Sequence, residues 1–359
     1  MSEFLYILFS FLPFMVCLVW LAIFAAGFLR NTRPLKFMTF FALACTVLYF
    51  CHAWFFMAEE WEFGVIDSLY LFCQLSVYPL FYCYVTILTK DEPFSCRVPL
   101  MLLPALILAV AAYITGGNDT VLTIGKVVFA IEVIVVAVFG LRDLSRFDRQ
   151  IKNYYSDTEG KTMTNTKILL IIFVSTSIFS AVANLLGREL FLHSPLLGIP
   201  STAFSVLLFC IFFVSFRISF YARDFRKEIQ AEKQDYIQPE EVDPDYAALE
   251  ARIASVMDKQ QLFLVPGLKI SDVATAVGSN RTYVSNAINN AAGVPFADYV
   301  NRRRVEYAKK RLSEQAPEDE KNISELATES GFASFPSFYR AFVKYVGESP
   351  TSWLKGLKS

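Results

Sequence analysis

Few residues in this sequence have the type and spacing to do chemistry, and most of them are basic. Arg302, Arg303, Arg304, Lys309, Lys310 and Arg311 crowd into one stretch against a single Glu306. Cationic groups at that density suit phosphate oxygens; a solvated helix face is the plain alternative. No catalytic constellation accompanies them. His52 and His193 are the only histidines and lie on different segments. HExxH, GxSxG, a phosphate-cradling glycine loop and a dinucleotide fingerprint are all missing. The seven cysteines fall within residues 1–216 and form no CxxC pair, which argues against a zinc or redox site. The expectation is a non-enzyme with no catalytic residue, no metal and no cofactor.

The basic stretch lies between two copies of a short pattern. Ile270-Ser271-Asp272-Val273-Ala274-Thr275 is matched by Ile323-Ser324-Glu325-Leu326-Ala327-Thr328, and Gly278 by Gly331. After one extra residue the match resumes: Val284 with Phe338, Ala287 with Ala341, Ile288 with Phe342, Gly293 with Gly347 and Tyr299 with Trp353. Each copy reads as helix, turn, helix. Ser271 and Ser324 suit the caps of the first helices, and Asn280 and Ser334 those of the second. Ala274 and Ala327 allow close helix crossing, and the two glycines supply left-handed turn residues. Between the copies, Pro295 to Leu312 reads as a helix with Phe296, Tyr299, Val300, Ala308 and Leu312 facing a core. Tyr246, Leu249, Ile253, Val256 and Met257 form a preceding amphipathic helix. One such match is weak; two in tandem are specific.

Residues 245–359 resemble the AraC/XylS-type DNA-binding domain. The second copy carries Ile323, Ala327, Gly331-Phe332, Ser337-Phe338, Arg340, Phe342, Gly347 and Ser349-Pro350. The first carries Asn280-Arg281-Thr282-Tyr283-Val284-Ser285 and Gly293 through Tyr299, with Arg303 and Ala308 after it. The resemblance implies two helices entering successive major grooves of double-stranded DNA. It places Arg281, Thr282, Ser285 and Asn286 on the first, about Asn280–Asn290. It places Phe335, Pro336 and Arg340 on the second, about Phe335–Lys344. Phe335-Pro336 departs from the polar residues commoner there and offers apolar contact to a thymine methyl. Arg303 and Lys309 are expected on phosphates. The domain carries 15 Lys/Arg against 13 Asp/Glu, so any basic surface must be local.

The rest of the chain has another character. Hydrophobic residues make up 55% of the whole and charged residues 19%, and there are 35 Phe. That excludes a disordered chain, a collagen and a small disulfide scaffold, and argues against one soluble globule. Residues 1–216 hold 13 Lys/Arg and 14 Asp/Glu, residues 217–359 hold 20 of each. Seven apolar segments approximate membrane spans: 4–29, 37–58, 63–88, 98–115, 121–141, 168–186 and 196–216. Basic residues alternate between their loops. Arg30, Arg33 and Lys36 follow the first, Lys90 and Arg97 the third, and Arg142, Arg146, Arg149, Lys152, Lys161 and Lys167 the fifth. Glu59, Glu60, Glu62, Asp119 and Arg188 mark the others. The alternation places the N-terminus outside and the C-terminal domain in the cytoplasm; the resemblance implies a bacterial inner-membrane protein.

The fold expectation is all-α: a seven-helix transmembrane bundle over 1–216, a connector helix and linker over 217–244, and a tandem helix-turn-helix domain over 245–359. Ile218, Tyr221, Phe225 and Ile229 stripe the connector, which could pair with a second copy of the chain or lie on lipid. Pro239 and Pro244 end it. His52, Asp67, Lys126, Glu132 and Asn184 interrupt the spans and are candidates to sense a small-molecule or envelope signal; snorkelling and interfacial placement are the plain alternative. The whole chain resembles membrane-anchored regulators of the AraC class. The implied partners are promoter DNA, membrane lipid, RNA polymerase and a homodimer mate. The alternative is a membrane transporter or enzyme carrying a fused DNA-binding domain; a passive anchor is a third reading.

Overall fold

The computed structural model describes residues 3–29, 31–57, 63–90, 97–186, 198–234, 245–314 and 323–357. Arg30, Glu59, Glu60, Glu62, Arg188, Pro239 and Pro244 lie outside them. Every regular element among the described residues is helical. The chain forms two units, one of Met1–Ser145 with Met163–Tyr236 and the other of Arg146–Thr162 with Ile237–Ser359.

The first unit holds α1 (Glu3–Ala26), α2 (Arg33–Met57), α3 (Val65–Thr89), α4 (Arg97–Ile114), most of α5 (Asp119–Tyr154), α6 (Thr164–Leu186) and α7 (Gly198–Gln234). Five of these, α1, α2, α3, α5 and α7, are long and apolar enough to cross a membrane by length and composition. The expected fourth and sixth spans correspond to α4 and α6, of 18 and 23 residues. At 18 residues, α4 reaches ~27 Å, just under the ~30 Å hydrocarbon thickness. α7 runs unbroken into the first part of the connector, as far as Gln234.

Phenylalanine abundance has a structural use here. Phe41 packs against Phe81 at 5.4 Å and Phe212 at 5.7 Å, and Phe81 meets Phe173 at 5.6 Å. Tyr78 stacks on Phe173 at 4.8 Å. These rings lock α2, α3, α6 and α7 together, and Trp20 and Phe24 bring in α1. Apolar side chains also point away from this core: Ile124, Val127, Ile131, Ile134 and Val138 of α5 are all exposed. Hydroxyls along the helices donate to carbonyls four residues back, as at Ser10, Thr46, Ser76, Ser177 and Ser205. Such bonds satisfy a polar group without water. Lys90 Nζ lies 2.8 Å from the buried Asp143 Oδ2, a charge contact joining the end of α3 to a point within α5.

The second unit holds α8 (Tyr246–Lys259), a 3-10 turn at Leu262–Leu264, α9 (Ile270–Ala276), α10 (Arg281–Ala287), α11 (Phe296–Ser313), α12 (Ile323–Glu329), α13 (Phe335–Val346) and α14 (Pro350–Leu357). Leu249, Ile253 and Met257 are the buried face of α8, while Val256 is half-buried. One core gathers Val305, Ala308 and Leu312 from α11 with Leu326, Phe338 and Phe342. The segment between α5 and α6 belongs to this unit: Tyr155 forms an antiparallel bridge with Lys269, and Ser156 N–H donates to the Leu268 carbonyl at 2.9 Å.

Candidate nucleic-acid interface

Two helix pairs repeat the same local geometry. After α9, Gly278 takes φ +61° and Ser279 N–H donates back to the Ala274 carbonyl at 2.9 Å. After α12, Gly331 takes φ +81° and Phe332 N–H donates to the Ala327 carbonyl at 3.1 Å. Both are left-handed helix terminations of the Schellman type, which reverse the chain into the next helix. Asn280 Oδ1 accepts from Tyr283 N–H at 2.7 Å, and Ser334 Oγ from Ser337 N–H at 3.2 Å, so both second helices carry side-chain caps. The first helix starts differently from expectation. Lys269 is the cap of α9, its N–H donating to Asp272 Oδ2 at 2.8 Å, and Ser271 sits inside the helix. Ser324 likewise lies inside α12. The acidic residue next in sequence, Asp272, serves the first turn of α9 better than the serine hydroxyl.

On α10, Val284 and Ala287 are buried, Thr282 is exposed, and Arg281, Ser285 and Asn286 are half-exposed. Ser285 Oγ accepts from Asn289 Nδ2 at 3.2 Å, and Asn286 Nδ2 reaches Tyr246 Oη at 3.5 Å. The helix then widens into a π turn, Ile288–Ala292. On α13 the division is sharper. Phe338, Ala341 and Phe342 are buried; Phe335, Pro336, Tyr339 and Arg340 are exposed. Pro336 costs nothing in the first turn, where its missing N–H has no helical partner. Tyr339 shares the exposed face with Phe335, their rings 6.3 Å apart, and was not singled out from sequence.

The basic stretch of α11 does not form one cationic face. Arg304 is buried, its Nε donating to the Phe263 carbonyl at 2.6 Å and its Nη2 to the Val265 carbonyl at 2.8 Å. Desolvation pulls its pKa down to about 10. Its expected membership in a phosphate-facing run is corrected: it is a core residue. Arg303 lies over the Tyr299 ring at 3.9 Å, donates to Tyr299 Oη at 3.0 Å and pairs with Asp258 at 3.3 Å. Lys309 pairs with Glu306 at 3.2 Å. Lys310 and Arg311 both approach Glu314 at 3.8 Å.

An acidic residue outside the domain's own sequence range meets α13. Glu159 Oε1 lies 3.0 Å from Arg340 Nη2. Glu159 Oε2 accepts from Ser337 Oγ at 2.6 Å and also from Ser334 Oγ. These donors, the two serines first and then Arg340, hold the carboxyl down at a pKa of about 2. Three residues earlier, Ser156 is buried; its Oγ accepts from Arg304 Nη2 at 3.4 Å and its carbonyl from Asn301 Nδ2 at 3.4 Å. Sequence reading placed Glu159 in an inter-span loop and had no signal joining it to α13.

The candidate sensing residues lie in the first unit. His52 stacks on Tyr70 with centroids 6.3 Å apart. Asp67 Oδ2 accepts from Gly64 N–H at 3.0 Å, closing the first turn of α3. Lys126 is exposed on α5, and Glu132 is half-buried with Oε2 lacking a hydrogen-bond partner. Asn184 belongs to α6, with its side chain outside the described residues. Among the described residues no group of acidic, His or Cys side chains could hold a metal.

Residues 273–356 match the family described as a helix-turn-helix domain. An uncharacterized HTH-type transcriptional regulator of Staphylococcus aureus (strain MSSA476) is 26% identical over 102 residues, 28% of this chain and 13% of that protein. The melibiose operon regulatory protein of Escherichia coli (strain K12) is 32% identical over 88 residues, 24% of this chain and 28% of its own length. The chain thus matches only a small part of each of these relatives, and the likeness lies in its C-terminal unit. No solved structure matches.

Proposed function

We propose that this chain is a membrane-embedded transcriptional regulator that binds promoter DNA through two helix-turn-helix units, α9–α10 and α12–α13. The observation that carries the reading is the repeated turn and cap geometry, which presents one second helix from each pair, within a segment matched by a helix-turn-helix family. In this reading Arg340 donates two parallel bonds to guanine O6 and N7, and Phe335 and Pro336 approach a thymine methyl. Arg281, Thr282, Ser285 and Asn286 serve the other groove, and Arg303 and Lys309 approach phosphates once freed from Asp258 and Glu306. Embedding in a bacterial cytoplasmic membrane is supported by the five long apolar helices, the outward apolar face of α5 and the hydroxyls satisfied within their own helices. His52, Asp67, Lys126, Glu132 and Asn184 remain the proposed sensing set. The test is genome-wide mapping of DNA bound by the intact chain. Discrete enriched sites that vanish on Arg340→Ala are expected; uniform background for the wild type would overturn the reading.

A further inference from the structure

The anion at the start of α13 comes from this chain itself. Ser334, Ser337 and Arg340 converge on the Glu159 carboxylate at the N-terminus of a 12-residue helix. Two hydroxyl donors, a guanidinium and the positive end of a helix dipole are also the groups with which proteins hold a DNA phosphate. The carboxylate is delivered by a segment fastened independently of it. Tyr155 bridges to Lys269, Ser156 bonds to the Leu268 carbonyl and is buried beside Arg304, and Lys161 lies 3.5 Å from the Tyr155 ring centroid. Glu159 follows this anchor by three residues, with its N–H donating to Asp157 Oδ1 at 3.2 Å.

We propose that residues 155–159, between α5 and α6, are an internal competitor of DNA, with Glu159 standing in for a backbone phosphate at Ser334 and Ser337 and drawing Arg340 away from its guanine. This rests on the DNA-binding reading above. The two anchors divide the work. Ser156 holds the segment through buried bonds that need not break, while Glu159 holds α13 through exposed bonds that exchange readily for phosphate. Binding at the second half-site then carries the cost of displacing Glu159, and the apparent affinity is lowered by the fraction of molecules in which it is docked. The segment is the direct continuation of α5 and ends five residues before α6 (Thr164).

The experiment uses the full chain in lipid nanodiscs and a labelled duplex of roughly 30 base pairs, selected from a random pool by the wild type and long enough for two adjacent major grooves. Dissociation constants are compared for the wild type, Glu159→Gln and Glu348→Gln. The last removes the same charge from another exposed acid, one that touches Ser352 rather than α13. Glu159→Gln should bind roughly three- to fivefold tighter, the upper part of the scale for losing one exposed charged contact, and Glu348→Gln should stay within about twofold of the wild type on that scale. Equal affinity for Glu159→Gln and the wild type overturns the proposal while leaving DNA binding intact. An equal gain in both variants overturns it too, since net charge then suffices. A wild type that selects no duplex even at low salt overturns the DNA-binding reading itself.

Discussion

Arg304 Nε and the Phe263 carbonyl oxygen are 2.6 Å apart, the shortest of the bonds by which this buried guanidinium holds the turn before α9. The same group lies 5.4 Å from the Phe332 ring, so one side chain joins α11, the 3-10 turn and the turn between α12 and α13. Its removal would take this donor from the Phe263 carbonyl and leave the Val265 carbonyl only the Leu268 N–H, at 3.3 Å. Arg304→Ala should therefore destabilise the C-terminal unit by about 3 kcal/mol, and Arg304→Lys should recover only part of this because an ammonium lacks the planar fork. Pulse proteolysis along a denaturant series would read the difference. Unchanged resistance in Arg304→Ala would remove its structural role.

Arg340 and Lys309 should separate by the kind of loss they cause. Arg340→Ala should cost about 1–3 kcal/mol on the selected duplex and flatten preference at one base position. Lys309→Ala should weaken all sequences alike and lower the salt slope by about one unit. Titrations of the full chain at several salt concentrations check both. Intact base preference in Arg340→Ala would make α13 a backbone clamp.

The contrast between Arg304 and Glu159 shows what was legible in the sequence. Val300, Arg304, Ala308 and Leu312 are spaced four apart on α11, so the helical period already put Arg304 on the buried face. Its charge led it to be grouped with Arg303, and the period was the better guide. The repeat, the turn glycines and both second-helix caps were readable because each is a local requirement of backbone geometry. The Glu159 contact was not, because it joins residues 181 positions apart in sequence (159 and 340) and local spacing carries no such information. The apolar helices were legible in place and type, because a long apolar run is a local property of the sequence.

Topology follows from the alternating basic loops. Reporter fusions after Glu60, Asp119 and Arg188 should report outside, and those after Arg33, Arg149 and Phe225 cytoplasm. The Lys90–Asp143 contact fits this, since it sets the end of α3 beside Asp143, just after the expected fifth span. A cytoplasmic signal at Asp119 would mean that α4, the shortest of the helices in question, does not cross.

The Glu159 contact should be insensitive to pH in the physiological range. A carboxyl whose folded pKa is held down at about 2, against an ordinary value of 4.5, contributes its stabilisation fully above the ordinary value. The contribution is lost only as pH falls through the folded one. The affinity gap between the wild type and Glu159→Gln should therefore be flat from about pH 6 to pH 8. A gap that closes within that window would assign the contact to another titrating group.

The two turn glycines should differ in their tolerance although their backbones match. Gly278 and Gly331 both have positive φ, so an L side chain at either is strained by ~1–2 kcal/mol. A Cβ at Gly278 would meet nothing within 4 Å, whereas one at Gly331 would lie 2.6 Å from the Leu264 carbonyl oxygen. That neighbour is backbone, in the turn that Arg304 also holds, and cannot rotate away. Gly331→Ala should therefore destabilise the C-terminal unit by at least ~1 kcal/mol more than Gly278→Ala, because backbone strain and a steric clash add. The same denaturant series measures both. Equal losses would mean that the Leu264 turn moves aside freely and that the second helix pair is not seated against it as tightly as this geometry requires.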